Sequence, residues 1–251
     1  VVVESAQLFT MALKRGEATR RAHLSAEVQP ERFLSRPTRA FRVGVSLLGA
    51  VLVMAVVVPA EPLGIDQRWS EAMLDMRTSP LTDLALVFNW LGRGLGWLLS
   101  LAAVGIVLLA RRRLVALLAF ALTETVTPLS STLLKILVGR QRPPDGLVHP
   151  VGSSFPSGHA AYAGATCVAL VLLFTAPGLG RARWWWPLAA LGVLGMAWSR
   201  TYLQVHWLSD VVGGSLLGVG IALTTFAGLQ LINSRSVAAV SAGNRVRRGA
   251  V

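Results

Sequence analysis

Eight residues in three short stretches carry side chains that could do chemistry together: Lys135 and Arg142, then Ser157, Gly158 and His159, then Arg200, His206 and Asp210. Lys135, Arg142 and Arg200 supply three cations, which suit the three non-bridging oxygens of a phosphoryl group, and each Arg can donate two hydrogen bonds. Ser157 stands at the N-cap of a long apolar segment, with Gly158 and His159 in its first turn. Such a helix start aims backbone N–H groups at an anion. His206, followed by Asp210 four positions on, has the pattern of a nucleophile held in one tautomer by a carboxylate, and His159 that of an acid for a leaving oxygen. Phosphoryl transfer is mostly positioning and charge stabilisation, so a site rich in fixed donors fits it. On the residues alone alternatives stay open, among them a phosphotransferase that passes the phosphoryl group to a lipid or sugar hydroxyl and a transporter that uses the basic mouth as a lipid-headgroup site. An Arg or His beside an apolar span also serves as a snorkelling or headgroup-contacting residue. His159, His206 and Asp210 could instead ligate a metal, although two His and one carboxylate amid three cations make a poor site for a dication.

The elements that must position these residues are membrane helices. The chain has 251 residues, 53% hydrophobic and 14% charged, with apolar runs of spanning length, and reads as an all-α polytopic membrane protein. A soluble domain of this size needs far more polar surface. The net charge of +12 does not point to nucleic acid, because the Arg residues cluster beside apolar runs as cytoplasmic flanks do. The single Cys, Cys167, cannot form an intrachain disulfide and reads as an ordinary buried thiol.

Residues 1–40 mix charges of both signs without a short basic region and a cleavable apolar core, so they are expected to be a cytoplasmic tail and not a signal peptide. A first span is expected over Phe41–Ala60, then a short interfacial helix from Ile65 to Met76. A second span runs from Leu84 or Gly94 to Ala110, its early part at the outer boundary, and Arg111, Arg112 and Arg113 close it. The third covers Leu114 to Val138. There Glu124, Thr127, Ser131 and Lys135 fall at offsets 0, 3, 7 and 11, on one face that should point into the bundle. Glu124, about three turns deeper than Lys135, fits either a structural bond or an accessory role in the site. The fourth span runs from the Pro156–His159 turn to Ala176, the fifth from Pro187 to Tyr202 after the aromatic belt Trp184–Trp186, and the sixth from His206 to Ile232. This makes one membrane domain over residues 41–232 and a C-terminal tail over 233–251.

Six spans put both termini on one side. Seventeen Lys and Arg fall on that side against seven on the other, so the termini are expected in the cytoplasm and the three stretches outside.

The stretches match K-x6-RP (Lys135 to Pro143), PSGH (Pro156 to His159) and SR-x5-H-x3-D (Ser199 to Asp210), complete and in order. In this the chain resembles the PAP2 (type 2 phosphatidic acid phosphatase) superfamily, over about residues 60–230. The resemblance implies a six-helix lipid phosphatase of the plasma membrane, a phosphoric ester or anhydride hydrolase. His206 would attack phosphorus to give a phosphohistidine, Asp210 would orient it, and His159 would protonate the leaving group and later activate water. Lys135, Arg142, Ser157, Gly158 and Arg200 would bind the phosphate, with no metal or other cofactor. The expected partners are a lipid phosphate, for which a polyprenyl diphosphate is favoured over phosphatidic acid or phosphatidylglycerol phosphate, and the surrounding membrane lipids.

Overall fold

The computed structural model describes residues 31–58, 60–92, 95–174 and 184–249, and every regular element among them is helical. In chain order these are α1 (Pro37–Val57), α2 (Gly64–Asp75), α3 (Ser79–Leu91), α4 (Leu95–Ala110), α5 (Leu114–Val138), α6 (Gly158–Phe174), α7 (Trp185–Tyr202) and α8 (Leu208–Gly249). Arg32–Leu231 form one compact body, and the distal part of α8, from Ile232, belongs to a second unit.

Among the described residues three helices are long and apolar enough to cross a bilayer: α1, α5 and, within α8, Leu208–Val240, with mean hydropathies of 2.3, 1.5 and 1.8. Leu101–Ala110 of α4 and all of α6 are shorter apolar helices. Large aliphatic side chains point outward along several of them, including Val56 on α1, Ile136 and Leu137 on α5, and Leu191 on α7. Water would penalise such a surface and lipid would not, so the chain is a helical membrane protein. On α5 the predicted stripe faces inward, with Glu124, Thr127 and Ser131 buried and Lys135 half-buried at its end.

Small residues set how closely the helices approach. A Cβ at Gly214 of α8 would collide with the Ser157 carbonyl, and one at Gly218 with the Ala161 carbonyl of α6. The spacing is the small-xxx-small pattern that lets membrane helices meet backbone to backbone. It draws the start of α6 onto the start of α8, where the Ser157 amide donates to the Asp210 carbonyl at 2.9 Å.

The structure sharpens the expectations at four places. Of the two starts expected for the second span, Leu84 or Gly94, the structure has the later one: α4 begins at Leu95, and the stretch before it is a separate helix, α3, with Gly92 at its C-cap. α3 packs against α7, with the Phe88 ring over Gly195. The first span starts at Pro37, since proline suits the first helical turn. The last residues before it are anchored, not loose: the Phe33 and Leu34 amides both donate to Gln230 Oε1, and the Phe33 ring meets Phe226 edge-on. The expected C-terminal tail is helical through Gly249. Of the expected N-terminal tail, residues 1–30 lie outside the described residues. Cys167 is half-buried.

Candidate active site

α5 ends at Gly139, whose φ of +65° is the left-handed conformation that glycine adopts without penalty. The turn leaves Lys135 on the helix and sends Arg140 and Arg142 into the body. The half-buried Lys135 ammonium donates to the Ser153 carbonyl at 2.8 Å and the Ser154 carbonyl at 3.3 Å. Arg142 donates through Nε to the Gly152 carbonyl (2.9 Å), through Nη1 to the Val205 carbonyl (2.7 Å) and through Nη2 to the Ser153 carbonyl (3.1 Å). Burial lowers the Arg142 guanidinium from its ordinary value, with Asp210 pulling the other way. Both cations therefore touch neutral oxygens and keep their charge for another partner.

His206 precedes α8, in the turn left by α7. Arg142 Nη1 lies 3.3 Å from its Nε2, and its Nδ1 faces Asp210 Oδ2 at 3.5 Å. That second separation is an electrostatic contact longer than a formed hydrogen bond, as is common before a substrate binds. Their pairing does not come from two residues one turn apart on a helix. Asp210 is the third residue of α8, and its Oδ2 reaches back to the Trp207 amide at 2.9 Å, half of a capping box, which swings the carboxylate under the imidazole. Burial pushes the His206 imidazole down to about 4, against the pull of Asp210 and helped by nearby Lys135 and Arg142. The ring is neutral at pH 7.

Ser157 is the N-cap of α6, as the sequence suggests, with its carbonyl accepting from the Ala161 amide at 3.0 Å and its hydroxyl 3.5 Å from the Ala160 amide. It is fully buried, and its own amide is used by Asp210. The first amides of α6 have no intrahelical acceptor, which leaves them suited to an anion. His159 stands at the edge where α3 meets α7: a Cβ on Gly92 would press on its ring and on Met196. Arg200 belongs to the same edge, buried, with Nη1 donating to Asn89 Oδ1 at 2.8 Å and Nε to Ser199 Oγ at 3.2 Å. Its carbonyl accepts from the Val205 amide at 3.2 Å, tying it to the His206 turn.

Lys135, Arg142, His206 and Asp210 are thus brought within electrostatic reach of one another, and Ser157 joins them through its backbone. Glu124 stands apart, eleven residues and so about 16 Å along α5 from Lys135, where Thr166 Oγ1 donates to its Oε1 at 2.9 Å and Oε2 has no hydrogen-bond partner. Among the described residues no group of three or more His, Cys, Asp or Glu is placed to hold a metal ion.

Several supporting residues were not singled out from the sequence. Buried Asp66 and Arg140, with half-buried Ser209, form a cluster behind Asp210. Asn89 aims Arg200, and Gln204 is held with φ +53° by Ser70, which donates to its Oε1 at 2.6 Å and accepts from its Nε2 at 3.0 Å. For Arg140 the signal was its place inside the first motif; for Asn89 and Gln204 there was none.

The arrangement has known counterparts. A model of the PAP2 superfamily matches residues 112–233. The chain is 38% identical over 73 residues to the undecaprenyl-diphosphatase of Sulfolobus acidocaldarius, a stretch that is 29% of this chain and 32% of that protein, so it spans about a third of that relative. It is 39% identical over 132 residues to the decaprenylphosphoryl-5-phosphoribose phosphatase of Mycobacterium tuberculosis, covering 51% of this chain and 68% of that protein. The crystal structure of a transmembrane PAP2 type phosphatidylglycerolphosphate phosphatase from Bacillus subtilis superposes with a TM-score of 0.63 and 26% identity, over 72% of this chain and 93% of that one. Aquifex aeolicus LpxE shares the fold, with a TM-score of 0.54 at 21% identity over 65% and 95% of the two chains. With the three motifs on one helical body and this degree of identity to the mycobacterial protein, the chain belongs to the PAP2 superfamily.

Proposed function

We propose that this protein is a metal-independent membrane lipid phosphatase that works through a phosphohistidine on His206. The observation that carries the reading is the His206 ring, with Nε2 3.3 Å from the Arg142 guanidinium and Nδ1 turned to Asp210. A neutral imidazole so held offers its lone pair where an anion's phosphorus would sit. Lys135, Arg142 and Arg200 take the phosphoryl oxygens, with Ser157 and Gly158 at the start of α6. The Nε2–P bond forms as the P–O bond to the leaving oxygen breaks, and His159 gives that oxygen its proton. Asp210 offsets the charge of the resulting imidazolium. His159 then takes a proton from water, which attacks phosphorus, releases phosphate and restores His206.

The substrate we favour is a polyprenyl diphosphate, supported by the names of the two relatives above, one an undecaprenyl-diphosphatase and the other a phosphatase of a phosphoribose carried on a decaprenyl lipid. A glycerophospholipid phosphate is the second reading, favoured by the similarity to the Bacillus subtilis structure. In either case six helices span the cell membrane, the termini are cytoplasmic and the site opens on the outer side, so the headgroup enters while the tail stays in lipid.

A panel of lipid phosphates assayed with wild type and His206→Ala in detergent tests this. Release of phosphate in EDTA, inhibition by vanadate and a labelled phosphoenzyme absent from His206→Ala are expected. Full turnover by His206→Ala, or turnover lost in EDTA and restored by a divalent ion, overturns the mechanism. The preferred lipid decides between the two substrate readings.

A further inference from the structure

Behind Asp210, away from His206, three helix ends converge on one guanidinium. Arg140 is 1% exposed, and Asp66 and Asp210 are 0% exposed. Arg140 Nη1 donates to Asp210 Oδ1 and to Ser209 Oγ, both at 2.7 Å, and its Nη2 donates to Asp66 Oδ2 at 2.7 Å. Asp66 also accepts from the Ser209 amide at 2.8 Å and the Ser209 hydroxyl at 2.9 Å. The two aspartates are equivalent in local structure. Each is the third residue of its helix and bonds back to the N-cap amide, Asp66 to Leu63 at 3.1 Å and Asp210 to Trp207 at 2.9 Å.

The charge count gives this cluster a purpose beyond packing. Arg140 alone would orient Asp210 but cancel its charge, and a cancelled carboxylate does little for an imidazolium. With Asp66 included, two carboxylates and one guanidinium leave a net charge of −1, and the carboxylate edge directed at His206 is Asp210 Oδ2. We infer that Asp66 and Arg140 are positioning residues for the phosphoryl-transfer step: Arg140 fixes the Asp210 carboxylate under His206 and keeps it ionised, and Asp66 offsets the Arg140 charge so that the cluster as a whole stays negative toward the ring. This rests on the reading of His206 as the nucleophile. The other charged groups facing His206 are Lys135 from α5 and Arg142 from the following loop, both cations. The cluster is therefore the source of negative charge on that ring.

The test uses Asp66→Asn, Arg140→Gln and the double variant, each assayed on the most active lipid of the panel. Asp66→Asn leaves the cluster neutral at nearly the same side-chain size, although its NH2 replaces one of the two accepting oxygens. Its kcat and rate of phosphoenzyme formation should fall about 10- to 100-fold, the range for residues that orient an active-site group, with KM within about twofold. Arg140→Gln leaves the cluster at −2, which favours the protonated ring, so the acid limb of its kcat/KM profile should move to higher pH. The double variant returns the cluster to −1, and its acid limb should return toward that of wild type. The inference is overturned if Asp66→Asn keeps wild-type kcat and phosphoenzyme rate, or if the double variant and Arg140→Gln share one acid limb. If Asp66→Asn does not fold, Arg140→Gln alone carries the test, and an acid limb that stays at the wild-type pH overturns the inference. A wild type without a phosphoenzyme, or an active His206→Ala, instead sinks the underlying reading, so the two failures are distinct.

Discussion

Arg140 and Arg142 lie two residues apart in the first motif and do opposite things. Arg140 is fully buried and gives its hydrogen bonds to the carboxylates of Asp66 and Asp210. Arg142 is half-buried and donates to the carbonyls of Gly152, Ser153 and Val205, beside the His206 ring. A carboxylate partner neutralises a guanidinium, whereas a carbonyl orients it and leaves its charge to act on something else. Lys135, held by the Ser153 and Ser154 carbonyls, falls on the Arg142 side of this division. On the proposed mechanism, one side of His206 receives the anion and the other supports a cationic ring.

The largest effect expected from this contrast is on turnover. Arg142→Gln should lower kcat/KM about 100- to 1,000-fold, the cost of removing one preorganised donor to a developing charge, with a modest change in melting temperature. Arg140→Gln should show its main loss in stability, about 3–5 kcal/mol for breaking a buried ion pair, read from thermal or denaturant unfolding in detergent. If both variants lost activity and stability in the same proportion, the division between the two arginines would be wrong.

An intermediate effect is expected on pH dependence. His206 titrates near 4 when folded, below the ordinary value of 6.5. As the proposed nucleophile it should stay unprotonated as pH falls through 6.5, and the acid limb that it contributes to kcat/KM should appear only near 4. Between those values the unfolded chain binds a proton that the folded chain does not, so this group makes stability fall as pH drops through the window. Arg142→Gln removes a cation beside the ring and should move the limb to higher pH. A wild-type limb at 6.5 in the pH–rate profile would mean that His206 is far better solvated than the structure has it.

The smallest effect should come from Glu124→Gln. Its Oε1 contact with Thr166 can be kept by the amide oxygen, and it lies well away from His206 along α5. Its kcat/KM should change by about twofold or less. A large fall would return Glu124 to the site, and with it the accessory role its place on the stripe suggested.

Local spacing made much of this legible in the chain. The stripe from Glu124 to Lys135 obeys helical pitch, and α5 spans Leu114–Val138 as its hydropathy demanded. Ser157 caps α6 because a hydroxyl before an apolar run suits that position. His206 and Asp210 could be paired from their offset, although the pairing arises from a helix cap and not from a helix face. Which of its two starts the second span has was less visible, since α3 and α4 are both apolar and a helix end at Gly92 leaves little trace in hydropathy.

What the sequence by itself determined is the membrane class, the helical registers and the chemical identity of the motif residues, because each depends on neighbours within a few turns. Only the tertiary structure decided which charges meet. Arg140 finds Asp66 across 74 positions, and Arg200 finds Asn89 across 111. Contacts of that kind depend on how closely helices pack, here through Gly214 and Gly218 against α6, and on which way a single left-handed glycine turns the chain after α5. No periodicity encodes either. So two arginines in one motif could be read as equal cations until the fold gave one of them to carboxylates and the other to carbonyls.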